Sequence, residues 1–155
     1  MKEIRAAVLA NFPAGTAFLN AAACNGALDA AAPFVLLEGI DDLDDPIAVL
    51  SAVREQTINA RLFALIANAA HLPALAAFYA GSRLATRHPL VRDELEPLFR
   101  AAGWQAASIT PIVDAALPAA APVEINAGAI IFQIVEQAAL ERGRNAAFLV
   151  TADRR

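Results

Sequence analysis

Cysteine occurs once, at Cys24, and histidine only twice, at His71 and His88. A single thiol excludes an intrachain disulfide, and so few ligating side chains argue against a Cys/His zinc site. Cys24 lies in Ala-Ala-Ala-Cys-Asn-Gly, where a buried small-residue role is favoured over a nucleophilic one. No apolar run reaches the roughly eighteen residues that suggest a membrane span. Met1-Lys2-Glu3-Ile4-Arg5 is followed by no uninterrupted apolar region and no clear cleavage site, so a cytoplasmic chain is expected. Basic residues are outnumbered, 12 against 16 acidic, for a net charge of −4. Without a concentrated basic patch, no nucleic-acid partner is expected. Glycine-rich turns are missing as well: Gly15 and Gly26 are isolated, and no Gly-x-Gly-x-Gly occurs.

Apolar residues are abundant. They make up 58% of the 155 residues, much of the excess being alanine, which favours helix and buries little area. That length fits one domain able to bury a core without disulfides or metal.

Ile4 to Leu9 is assigned to helix, Phe12 to Gly15 to a turn, Thr16 to Asn20 to a short buried strand, and Ala21 to Ala32 to an interrupted helix. Phe34 to Ile40 is a continuous apolar run, as in strands of parallel sheets buried on both faces. Asp44 or Asp45 then caps a helix with Pro46 in its first position, ending near Thr57. Arg61 to Ala67 is a second buried strand. Strand, helix and strand at this spacing predict a βαβ unit with parallel strands. Pro73 opens a short helix to about Ala80, and Ser82 to Leu90 is a loop. Val91, Leu95, Leu98, Phe99 and Ala102 form one helical face closed by Gly103. Pro97 inside it forfeits a hydrogen bond and predicts regular helix only beyond it. Trp104 to Ile112 is a third strand, with Trp104 in the core, and Pro111, Pro118 and Pro122 mark a loop. Val123 to Arg142, with Ala127, Ile131, Ile134, Val135 and Ala138 at helical spacing, predicts a long helix stopped by Gly143. Ala146 to Thr151 is the last strand.

Three segments carry a resemblance. After the Phe34 strand comes Ile40-Asp41-Asp42-Leu43-Asp44-Asp45-Pro46. After the Arg61 strand comes Ile66-Ala67-Asn68-Ala69-Ala70-His71-Leu72. The third is Asp93-Glu94-Leu95-Glu96-Pro97-Leu98-Phe99-Arg100-Ala101-Ala102-Gly103-Trp104. In this order and at these separations the chain resembles the C-terminal half of class I S-adenosylmethionine-dependent methyltransferases. It is most similar to the branch associated with sugar transferases of surface polysaccharide synthesis. The resemblance spans Phe34 to about Ile112 and implies an α/β fold. The sheet is then a partial Rossmann-like one of mostly parallel strands flanked by helices, with the first strands missing.

The departures bear on activity. The family holds its cofactor at a glycine-rich turn after the first strand and a carboxylate ending the second. Neither is found here, and only about thirty residues precede Phe34, too few for three strands with their crossover helices. Thr16 to Asn20 stands at most for the third strand. Asp41-Asp42 replaces the family's Glu-His pair. The resemblance leaves Glu38, Gly39, Asp41 and Asp42 as cofactor-binding candidates. Asn68, His71 and His88 are substrate-binding candidates, with His71 as the one candidate general base. For His71 a turn-fixing bond with Asn68 is favoured, and for His88 a surface-loop position. Arg83, Arg87 and Arg92 form a possible anion patch, partly neutralised by Asp93, Glu94 and Glu96.

The acidic loop from Glu38 to Asp45 invites a hard-cation reading, yet its spacing matches no EF-hand and Asp44 and Asp45 suit helix capping. No metal is expected. The chain is therefore read as a single truncated domain, residues 1–155, without an intact cofactor site and with no cofactor, acting as a binding or assembly module. The exposed side of the Phe34 strand must be covered by the N-terminal segment, a second copy or another protein, which predicts a homodimer or heteromer. The alternative is a methyltransferase that completes its S-adenosylmethionine site with another subunit and acts on a sugar or small molecule. A split enzyme, with the glycine turn on a separate chain, belongs to that alternative. A small acidic-loop metalloenzyme is the third reading.

Overall fold

A computed structural model describes residues 6, 8, 10–12, 16–21, 31–83 and 86–154. The expected Phe12–Gly15 turn, the Ile4–Leu9 and Ala21–Ala32 helices and Cys24 fall wholly or mostly outside them.

The organising unit is β2 (Phe34–Glu38), α1 (Pro46–Gln56) and β3 (Arg61–Ala67). Val35, Leu36 and Leu37 are fully buried, as a strand covered on both faces requires. The strand stops at Glu38, two residues short of the expected end. Gly39 takes φ +76°, the left-handed region open to glycine, and starts a 3-10 turn over Ile40–Asp42. Asp45 caps α1, its carboxylate accepting the Ala48 N–H at 2.9 Å, with Pro46 following. The helix ends at Thr57, whose hydroxyl donates to the Val53 carbonyl at 2.9 Å. β2 and β3 pair in parallel, as the βαβ spacing predicts.

β1 (Thr16–Asn20) pairs in parallel with β2. Of the ways to cover the Phe34 strand, the N-terminal segment is the one seen. β1 was expected to be buried. Among the described residues it pairs with β2 alone, and it is instead half-exposed, Phe18 keeping 56% of its surface.

After β3 come α2 (Leu72–Tyr79), α3 (Arg92–Ala101) and β4 (Trp104–Val113). α3 runs regularly through Pro97, contrary to expectation. The donor lost at Pro97 leaves the carbonyl of exposed Asp93 in the first turn, where water can take it. Pro111 lies within β4, not in a loop. Among the described residues β4 pairs only with the last strand, and an edge strand tolerates a missing amide on its outer side.

The long helix expected over Val123–Arg142 is a hairpin followed by a short helix: β5 (Val123–Ala127), β6 (Ile130–Ile134) and α4 (Gln137–Arg144). Val123 and Ala127 are buried while Glu124 and Asn126 are exposed, a period of two rather than 3.6. Gly128, at φ +69°, supplies the turn. α4 continues through Gly143 instead of stopping there. β7 (Asn145–Arg154) then enters between β3 and β4, antiparallel to both, giving the order β1-β2-β3-β7-β4. Four of the five strands thus point one way, in an α/β fold.

The main core holds Leu37, Leu50, Leu62, Phe99, Trp104 and Val150. A smaller one, at the carboxyl ends of β3 and β4, packs Leu72 of α2 and Val123 of the hairpin around Leu140. Among the described residues no helix is long and apolar enough to cross a membrane.

Candidate functional site

Open α/β sheets bind ligands outside the carboxyl ends of their strands. Here that edge carries Asn20, Glu38, Asn68 and Asp114, at or just past the ends of β1, β2, β3 and β4. Gly39 turns the chain out of β2 beneath the Asn20 side chain: a Cβ on it would lie 3.8 Å from Asn20 Oδ1.

Asp41 follows in the 3-10 turn and is buried, 4% exposed, whereas Asp42 is open to solvent. Burial pushes the Asp41 carboxyl up, and the charge of Asp42 adds to it, while backbone N–H groups of Asp41 and Ala67 pull the other way. The segment ahead of α3 is strapped across this turn. His88 N–H donates to the Asp41 carbonyl at 2.8 Å, and Ala69 N–H to that of Leu90 at 3.0 Å. On the surface Arg87 Nη1 meets Asp44 Oδ1 at 2.8 Å. Of the other proposed anion-binding residues, Arg92 lies 3.8 Å from Asp93 and Arg83 is exposed.

The raised Asp41 pKa has a consequence for stability. The folded chain keeps this proton to higher pH than the unfolded one, so stability falls as pH rises from the usual carboxylate range through the folded pKa. Asp41→Asn is therefore expected to be more stable than the parent at pH 7, with the gap closing in the usual carboxylate range. Urea unfolding across that range measures it. A variant less stable by the same amount at every pH would refute the argument.

Asn68 is buried and fully engaged. Its Nδ2 donates to the carbonyls of Arg142 (3.1 Å) and Asn145 (2.7 Å), and its Oδ1 accepts the Ala70 N–H (3.0 Å). The backbone N–H of His71 closes the turn onto the Asn68 carbonyl at 3.1 Å. The His71 ring points elsewhere: Nε2 lies 3.1 Å from Asp114 Oδ2, both side chains largely buried. The Ala116 N–H holds the Asp114 carboxyl below its usual range against the opposing effect of burial, and the hydrogen bond and charge of His71 act in the same direction as Ala116. An imidazole oriented by a carboxylate is suited to accept a proton. Nothing local to Asp114 marks it in the sequence, and the two residues are 43 positions apart.

The edge thus has two halves, Asn20 to Asp42 and Asn68 with His71 and Asp114, bridged by the strap that carries His88. Trp104 belongs to the core, its Nε1 donating to the Leu50 carbonyl at 2.9 Å. Among the described residues no three His, Cys, Asp or Glu side chains converge as a metal site would need.

No family model matches the chain, and no curated protein matches it in sequence. Solved structures do. One is the complex between the Haloferax volcanii Trm112 methyltransferase activator and a methyltransferase, at 16% identity and TM-score 0.52, covering 81% of this chain and 54% of that one. Another is a Thermotoga maritima SAM-dependent methyltransferase, described as a possible histamine N-methyltransferase, at 14% identity and TM-score 0.50, covering 82% and 58%. The chain spans little more than half the length of these structures, and the likeness is one of fold: a methyltransferase-like α/β sheet.

Proposed function

We propose that this chain is a methyltransferase-like domain that works as a binding or assembly module rather than transferring methyl groups unaided. The observation that carries this reading is how the fold uses Asp41. A side chain that bonds a bound cofactor has to be open to the ligand. Asp41 is buried in the 3-10 turn, and its carbonyl is taken by the strap through the His88 N–H. Asn68 is likewise used up in holding the fold. Glu38, Gly39 and Asp42 remain as the cofactor-side candidates.

The partner in this reading is a second copy or another protein. A fold neighbour held with an activator protein supports a protein partner.

The second reading is a methyltransferase that completes its site with another subunit. What supports it is the His71–Asp114 pair, an imidazole beside a carboxylate at the carboxyl ends of β3 and β4. The sugar or small-molecule acceptor in that reading rests on the resemblance alone. Calorimetry of the purified chain with S-adenosylmethionine and S-adenosylhomocysteine separates the two. The module reading expects no binding in the micromolar range; micromolar affinity for either ligand would overturn it.

A further inference from the structure

α2 and the hairpin do not close fully on one another. Leu72, Ala76 and Tyr79 on one face of α2 oppose Ile125, Phe132 and Ile134 on the inner face of the hairpin, around a cavity of about 190 Å³. One wall is aromatic: the Tyr79 and Phe132 rings lie 4.9 Å apart, tilted by 55°. The Tyr79 phenol is the only polar side-chain group among the lining residues, and Tyr79 is half-exposed at 53%.

We propose that this cavity binds a small uncharged molecule built on one aromatic ring and carrying at most one polar substituent. Size sets the scale, since an apolar cavity of about 150 Å³ takes up benzene. A pocket only slightly larger accommodates a single substituted ring. Lining sets the chemistry. With no charged side chain on its walls, the site has nothing to repay the desolvation of an ionic ligand. Two aromatic side chains offer faces and edges to a third ring. The phenol of Tyr79 can exchange a hydrogen bond with a hydroxyl or amine on the ligand. This site lies in the smaller core, and the inference stands whether or not the chain binds S-adenosylmethionine.

The probe is 4-methylphenol, titrated into protein carrying labelled isoleucine and leucine methyl groups. Saturable shifts are expected at the methyls of Ile125, Ile134 and Leu72. Its charged counterpart, 4-methylbenzoate, should bind at least about tenfold more weakly. Ala76→Phe fills the cavity and should abolish the shifts. If that variant does not fold, Leu75→Trp, at a half-buried lining position, tests the same point. Absence of these shifts, or equal binding by the filled variant, overturns the assignment. So would movement of the same methyls with protein concentration alone, which would give the cavity to a second copy.

Discussion

Trp104→Ala is expected to destabilise the chain by about 4 kcal/mol, within the range for truncating a buried aromatic. Trp104 opens β4 and is 1% exposed. Its ring packs in the main core, and Nε1 is bonded to a carbonyl of α1. Truncation removes the packed area, leaves a cavity and withdraws a buried donor at once. In a chain of this size the melting temperature should fall by roughly 10 °C or more. Trp104→Phe separates the contributions: it keeps most of the apolar area and should cost about 1–2 kcal/mol for the lost hydrogen bond and smaller ring. Equilibrium unfolding of both variants checks the order. If Trp104→Ala unfolds like the parent, Trp104 is not the core residue that the geometry makes it.

What was legible in the chain is what is written locally. Phe34 to Ala67 could be read almost to the residue because each boundary has its own signal. The continuous apolar runs mark the strands, and Asp45-Pro46 starts the helix between them. Over Val123 to Arg142 two periods compete, and the helical one does not prevail. Ala127, Ile131, Ile134 and Ala138 satisfy a helix, while Val123, Ile125 and Ala127 alternate as a strand does. Gly128 settles the conflict, since a glycine at a two-residue turn favours the hairpin. The strap over Asp41 and the His71–Asp114 pair were out of reach for a different reason. Each joins residues more than forty positions apart, and a single sequence carries no trace of such contacts. For the same reason Asn68 read as a possible ligand group. Its segment placed it correctly at the end of β3, but what its amide touches is decided by α4 and β7.

Asn68→Ala should therefore behave as the loss of a clamp, at a cost of about 3 kcal/mol. The part-buried carbonyls of Arg142 and Asn145 and the N–H of Ala70 lose their side-chain partner together, and each group left unsatisfied costs up to roughly 1–3 kcal/mol. The total is held below the sum because water reaches a part-buried site. Asn68→Asp is the sharper test. It keeps an acceptor for the Ala70 N–H, but it replaces both donors with carboxylate oxygen facing two carbonyls. Asp should therefore be worse than Ala, although it is closer in shape to Asn. A residue kept only to meet a ligand would show neither loss in the free protein. Hydrogen exchange locates the damage: the Asn145 end of β7 and the end of α4 should open before β2 and β3, because the Asn68 side chain ties both to the end of β3 beyond the strand ladder. Stability in the order Asn, Ala, Asp, with that opening, identifies the clamp, while equal stability of all three would leave Asn68 free to serve a ligand.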